Sequence, residues 1–385
     1  MKLSIAAICA VLVSSAFAQL GPQTALVEGT DYSEKSADLD YVGDGAVYHR
    51  MDIYLPVDTA ESYPVAIHFY GSAWSQNNMK GSADLRTIVK ALLHAGYAVA
   101  VPNHRASSDA IYPAQLHDCK AAVRFVRANA AVYGFDTSFV AVSGFSSGAH
   151  LAGLVATTCG LSEGTSGSVT VDLVGDLGDH GQFSSCVDAA ALWSPPTNLY
   201  SMNPISTGGG STTFEGALIG VEREGNKDKW MVASSPFYAS EDDPPIVMFH
   251  GDGDQIVNKE QSRELYDSLV AHGVSTAELV YVEGGAHGGT EMYTAENLAR
   301  MTDFLDSARA RKAAAADSAA DTSSAISSAP RAPGLENATY AVYALTGVLI
   351  SRSAAIDERK LVPGVYFVVA TTPAGERRTF RFVRK

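Results

Sequence analysis

Short apolar runs recur through the first three hundred residues of the chain. They fall at residues 65–70, 98–101, 139–142, 189–193, 246–250 and 279–282. Each is too short for a buried helix and apolar on both faces, the pattern of a strand covered on two sides. Helical patterns separate them, at residues 84–95, 113–131, 149–157, 260–272 and 295–308. In the second of these, Leu116, Cys119, Val123, Val126 and Ala130 recur at alternating spacings of three and four, which places them on one face of a helix, and Gly134 is a plausible stop. Strands alternating with helices predict an α/β fold, a doubly wound and mostly parallel sheet with helices on both faces. Such sheets bind ligands at the carboxyl ends of their strands.

The pattern changes after residue 308. Residues 313–330 hold eight alanines and five serines, with no apolar face to bury, so residues 311–331 read as a linker. Residues 332–385 resume with strand-like runs at 342–350 and 365–371. A last run at 379–384 sets Phe380 and Phe382 against Arg381 on the opposite face. A small all-β module follows. At the other end, Lys2, the apolar residues 3–13 and Ala16-Phe17-Ala18 have the layout of a secretory signal peptide, residues 1–18. The main domain then covers residues 19–310, and the mature protein is expected outside the cell.

Composition narrows the functional classes. Hydrophobic residues make up 46% and charged residues 18%, enough to build a sizeable core. The net charge of −14 is an average of two parts. Residues 332–385 carry eight Lys/Arg against four Asp/Glu, which leaves −18 on residues 1–331. Binding a phosphate backbone needs a positive footprint, so no nucleic-acid partner is expected. Beyond the signal no apolar run is long enough to span a membrane. Three cysteines remain after the signal: Cys119 on its apolar stripe reads as a buried thiol, and Cys159 and Cys186 bracket a Gly/Ser-rich loop as candidates for a disulfide.

The sharpest chemical signal is Gly144-Phe145-Ser146-Ser147-Gly148, between a strand and a helix. That is the context of a nucleophile elbow, whose tight turn lifts the serine above the sheet at a helix N-terminus. A serine nucleophile needs a base held by a third group. His287, in a glycine-rich loop after the last strand of the main domain, is best placed of the ten histidines. The orienting acid falls in His250-Gly251-Asp252-Gly253-Asp254. Asp254 is preferred, because Asp252 directly follows the turn and reads as its cap. The order Ser146, Asp254, His287 is that of the α/β hydrolases. Backbone donors for an oxyanion are expected from Ser147 and from Ser72 and Ala73 in the loop Tyr70-Gly71-Ser72-Ala73-Trp74, a degenerate form of H-G-G-G-W. Trp74 is a candidate for the pocket wall or for the core. Among the other histidines, His150 stands out for its place at the start of the helix after the elbow. Tyr200, Phe214 and Trp230 are candidate substrate contacts with packing as the alternative. Asp252-Gly253-Asp254 lacks the ligand spacing of a calcium loop, and no metal or cofactor is expected.

Residues from about 45 to 308 resemble the α/β-hydrolase superfamily, and within it the esterases that include bacterial feruloyl and acetyl-xylan esterases. The resemblance runs through residues 52–56, Gly71 to Trp74, Asn103-His104-Arg105, Tyr112-Pro113-Ala114-Gln115, Asp118, Ala121-Ala122-Val123-Arg124, the elbow, Ser235-Pro236, residues 250–254 and the His287 loop. It implies a serine ester hydrolase acting on acylated polysaccharide or oligosaccharide. The chain departs from the group in its oxyanion loop and in Asn-His-Arg where Asp-Tyr-Arg is commoner. Residues 342–347, 361–368 and 381–385 resemble the sorting domain of the type IX secretion system, which implies the secretion machinery as a partner. Two rival functions remain. One is a peptidase of prolyl-oligopeptidase type, which usually carries a large extra domain, and the stretch before residue 45 is too short for one. The other is a surface-binding protein on a catalytically silent fold.

Overall fold

The computed structural model describes residues 26–81, 83–203, 212–327, 339–344, 349–353, 364–371 and 377–384. The expected signal peptide lies outside the described residues. The chain divides into two units, the first ending at Arg309 and the second beginning at Ala310.

The first unit is built on one eight-stranded sheet. Its strands are β1 (Glu34–Asp40), β2 (Arg50–Leu55), β3 (Tyr63–Phe69), β4 (Ala98–Pro102), β5 (Phe135–Phe145), β8 (Ala189–Trp193), β9 (Ile246–Gly251) and β10 (Glu278–Val282). They lie in the order β1-β2-β4-β3-β5-β8-β9-β10. From β4 to β10 every neighbouring pair is parallel, while β2 runs antiparallel to both β1 and β4. A two-stranded hairpin, β6 (Glu163–Ser166) and β7 (Val169–Asp172), lies outside this sheet.

Successive residues of a strand point to opposite faces, and here each face has its own core. Val65, Ile67, Val140, Val142, Leu192 and Met248 pack with helices α2 (Ala114–Ala128), α3 (Ser147–Thr157) and α4 (Glu260–Ala271). Their neighbours Ala66, Phe139, Ala141, Trp193 and Phe249 pack with α1 (Ile88–His94) and with Met301, Phe304 and Leu305 of α5 (Ala295–Ser327). Fully burying one such large side chain contributes about 1.5–3 kcal/mol, so burial on both faces keeps the central strands in register. Trp193 and Phe249 stack across β8 and β9 with centroids 4.2 Å apart.

The apolar runs located the buried strands but not β1 and β2. β1 reads Glu-Lys-Ser-Ala-Asp-Leu-Asp and lies largely exposed at the sheet edge, so it has no hydrophobic signature to detect. Helix α5 also extends to Ser327, through most of the segment read as a linker. Its alanines explain this: alanine has the highest helix propensity and needs no apolar face to form a helix.

In the first unit, Cys159 and Cys186 form a disulfide, and Cys119 is a buried free thiol. The bridge closes a loop with a sequence separation of 27, which restricts the unfolded chain by roughly 3–4 kcal/mol in the chain-entropy account. Beside it, buried Lys120 Nζ donates to the Thr158 carbonyl at 3.0 Å, supplying a donor where α3 ends. Burial pushes this amine down to about 8.

The second unit contains an antiparallel sheet of β11 (Thr339–Ala344), β12 (Leu349–Ser353), β13 (Gly364–Thr371) and β14 (Arg377–Arg384), in the order β12-β11-β13-β14. The run at 342–350, expected as one strand, is two: Tyr340 pairs with Ser353 and Tyr343 with Leu349 across a reversal of the chain. Residues 342–344 and 349–350 are apolar in both pieces, so hydropathy alone did not separate the two strands.

Candidate active site

β5 ends at Phe145 and α3 begins at Ser147, which leaves Ser146 alone to make the turn. Ser146 has φ 54° and ψ −123°, a conformation that side-chain-bearing residues adopt only under constraint. Two backbone bonds supply the constraint: Ser146 N–H donates to the Trp193 carbonyl at 2.8 Å, and His150 N–H donates to the Ser146 carbonyl at 3.0 Å. The flanking glycines are required by contact. A Cβ on Gly148 would overlap the Phe69 carbonyl of β3, and one on Gly144 would overlap the Gly148 carbonyl. Gly148→Ala is therefore expected to push α3 off β3, at a cost of about 1–3 kcal/mol or more, and to remove activity. Thermal melting with a parallel ester assay checks this. An unchanged melting temperature with full activity would mean that helix and strand do not meet through their backbones.

His287 and Asp254 reach Ser146 from the loops after β10 and β9. Ser146 Oγ lies 2.8 Å from His287 Nε2, and His287 Nδ1 lies 2.8 Å from Asp254 Oδ2. The Asp254 side chain is fully enclosed and the His287 side chain keeps 7% of its surface exposed, so the line is closed at the acid end. The two oxygens of Asp254 do different work. Oδ1 accepts the N–H groups of Ile256 and Val257, both at 2.9 Å, and so fixes the turn, while Oδ2 faces the imidazole. Burial by itself would raise the pKa of this carboxyl. The charge of His287 and hydrogen bonds from His250 and His287 outweigh it and hold Asp254 well below the usual carboxylate range. Asp252 instead accepts the Gly284 N–H at 2.8 Å and braces the turn next door.

His250 is a contact that sequence reasoning passed over as structural. It is fully buried at the end of β9, with Nδ1 2.7 Å from Ser262 Oγ, and its Nε2 lies 2.9 Å from the Val257 carbonyl and 3.3 Å from Asp254 Oδ2. The acid is thus held from two sides. The signal was its place four residues before Asp254.

The expected oxyanion donors separate. Ser72 N–H is already engaged within the protein. It donates to Ser147 Oγ at 2.8 Å, which removes it from the set. The reading by small-residue tolerance considered only whether the backbone fitted, and the neighbouring hydroxyl captured it. The amides of Ala73 and Ser147 have no acceptor among the described residues. Ser147 opens α3, where the helix dipole favours developing negative charge.

A second Ser-His-Asp line lies in the core, with Ser143 Oγ 2.7 Å from His68 Nδ1 and His68 Nε2 3.0 Å from Asp84 Oδ2. Ser143 is fully buried within β5, on no turn and at no helix N-terminus, so this line is structural. The remaining aromatic candidates resolve likewise. Trp74 and Trp230 are buried, and the Trp230 indole N–H donates to the Val221 carbonyl at 3.2 Å, so Trp230 belongs to the core. Tyr200 and Phe214 pack against the core while half-buried. Arg105 pairs with buried Asp118, Nη2 to Oδ1 at 2.6 Å, and His49 Nε2 lies 3.1 Å from the same oxygen. The Asn-His-Arg motif thus braces the loop after β4. Its His104 stacks on Tyr70, with centroids 4.7 Å apart. Among the described residues no group of three or more His, Cys, Asp or Glu is placed to hold a metal, and no helix is long and apolar enough to cross a membrane.

Strand order and elbow define an α/β-hydrolase fold, with Ser146, His287 and Asp254 in one hydrogen-bonded line. The chain belongs to the BD-FAE family, whose sequence model matches residues 51–269. Among solved structures, a truncated form of a carbohydrate esterase from gut microbiota is 38% identical, with a TM-score of 0.69 over 74% of this chain and 99% of that one. A bifunctional GH43-CE protein of Bacteroides eggerthii is 41% identical, with a TM-score of 0.67 over 71% of this chain and 35% of that one. The probable carboxylic ester hydrolase LipM of Mycobacterium tuberculosis is 27% identical over 265 residues, 68% of this chain and 57% of that protein. The chain thus spans under three fifths of the length of the curated relative.

Proposed function

We propose that the protein is an exported serine carboxylic ester hydrolase that removes acyl groups, acetyl or feruloyl, from plant cell-wall polysaccharide such as xylan. The observation that carries the chemistry is the line Ser146–His287–Asp254, with both contacts at 2.8 Å and the serine on a constrained turn at a helix N-terminus. Support for a carbohydrate ester comes from the structural neighbour named as a carbohydrate esterase.

The chemistry follows from the geometry. His287 Nε2 takes the Ser146 proton as Oγ attacks the ester carbonyl. The Ser147 and Ala73 amides receive the oxyanion. His287 then gives the proton to the departing sugar oxygen, which leaves as the hydroxyl, and water repeats the sequence on the acyl-enzyme. Asp254, ionised by its surroundings, keeps Nδ1 protonated and stabilises the imidazolium.

A substrate panel tests the proposal: p-nitrophenyl acetate, acetylated xylan, methyl ferulate and short peptide amides, with fluorophosphonate labelling of Ser146 alongside. Release of acetate or ferulate together with labelling is the expected result. Cleavage of peptide amides alone would overturn the substrate class, and a folded protein that neither labels nor turns over would overturn the catalytic reading. The export route rests on the signal-like residues 1–18 and the basic module 332–385. A truncation at residue 331, expressed in a host with type IX secretion, is expected to accumulate in the periplasm.

A further inference from the structure

The oxyanion loop holds a conformation that needs explaining. Ala73 and Trp74 both lie in the left-handed region, at φ 50° and 54°, although neither is glycine. Consecutive residues with a Cβ keep such angles only where the surroundings over-determine them. On the near side of Ala73, Ser72 N–H is tied to Ser147 Oγ at 2.8 Å. On the far side, the Trp74 carbonyl accepts from Ser107 N–H at 2.7 Å and Ser107 Oγ at 3.0 Å. The Trp74 indole N–H reaches His150 Nδ1 at 3.2 Å, and His150 Nε2 lies 2.7 Å from the Ala233 carbonyl. Trp74 and His150 are both buried and meet edge to face, with centroids 5.2 Å apart.

The hydrogen-bond chain fixes the state of His150. A carbonyl at Nε2 requires a proton there, and an indole N–H at Nδ1 requires a lone pair, so only the neutral Nε2–H tautomer satisfies both. Burial supports this by pushing the imidazole down to about 4. Ser147 and His150 belong to α3, the helix that carries Ser146 at its N-terminus.

We propose that His150 is a positioning residue for the reaction: through its hydrogen bond to the Trp74 indole, and together with Ser147 Oγ on Ser72 N–H, it ties the Ala73 amide to the helix that carries the nucleophile. One rigid element then sets the serine, one oxyanion donor directly and the other through two side chains. Displacing a donor by about an ångström is enough to cost about 100-fold in rate. The inference rests on the ester-hydrolase reading.

The test compares His150→Gln, His150→Asn and Trp74→Phe in the full chain. Glutamine reaches the Ala233 carbonyl but offers no acceptor at the δ position. Asparagine keeps a δ acceptor for the indole, and Trp74→Phe deletes the indole donor. Expected are kcat losses of about 10–100-fold for His150→Gln and Trp74→Phe on p-nitrophenyl acetate, with KM within about threefold. A trifluoromethyl ketone, whose bound oxyanion needs the same donors, is expected to lose affinity by the same factor as kcat/KM. His150→Asn is expected to recover most of the loss, and the double variant His150→Gln/Trp74→Phe to be no worse than the weaker single. The downfield Trp74 indole N–H resonance reads the bond directly, and it is expected to shift in His150→Gln and to stay in His150→Asn. Unchanged kcat in a folded Trp74→Phe, additive losses, or equal losses in the Asn and Gln variants would overturn the proposal. A wild-type protein inactive on every ester would instead overturn the reading beneath it.

Discussion

Ser146→Ala is expected to lower kcat on p-nitrophenyl acetate by about 10^6-fold, the scale on which loss of the nucleophile leaves only substrate binding and the oxyanion donors. Fluorophosphonate labelling is expected to vanish with it. The fold should survive: Ser146 Oγ has one hydrogen bond, to His287, and the turn itself is held by the main-chain bonds to Trp193 and His150. The stability change is therefore expected to stay at about 1 kcal/mol or less. Circular dichroism and melting beside the kinetic assay separate the two effects. Activity retained in a folded Ser146→Ala protein would remove Ser146 from the reaction. The buried Ser143 gives a matched control, since its loss should register in melting rather than in labelling.

Asp254→Asn should lower kcat by about 10^4-fold through the tautomer of His287. The structure dictates how the new amide sits. Ile256 and Val257 both donate N–H to the Oδ1 position, so the amide oxygen must go there. The amide NH2 then faces His287, whose Nδ1 must accept instead of donate. That leaves the proton on Nε2, where Ser146 needs a base. Stability should respond to pH in a defined direction. The folded carboxyl is held below its ordinary range, so its ionisation stabilises the fold above the unfolded pKa of about 3.9 and that contribution is lost as pH falls through the folded value. The melting temperature of the wild type should therefore exceed that of Asp254→Asn at neutral pH, and the gap should narrow below about pH 4. A gap independent of pH would place the stabilisation elsewhere.

The buried strands were legible because each central strand is apolar on both faces, and the elbow because only small residues fit where α3 meets β3. Asp254 and His287 followed from chain order. What stayed hidden depended on partners distant in sequence. Nothing near Ser72 indicates that Ser147 Oγ will take its N–H, 75 positions away. His250 reads as a strand histidine until Asp254 folds back to within 3.3 Å of it. β1 escaped for the opposite reason: an exposed edge strand is held by its hydrogen bonds to β2 and does not need hydrophobic residues.

The contact at Gly148 also restricts how this site can diversify. At Gly148 the helix that follows Ser146 and the end of β3 meet main chain to main chain, so there is no side chain at that point to trim or enlarge. Selection for a larger or smaller acyl group therefore has no purchase at this contact. Changes in acyl specificity have to come from side chains elsewhere in the site, while the spacing fixed at this contact is inherited unchanged.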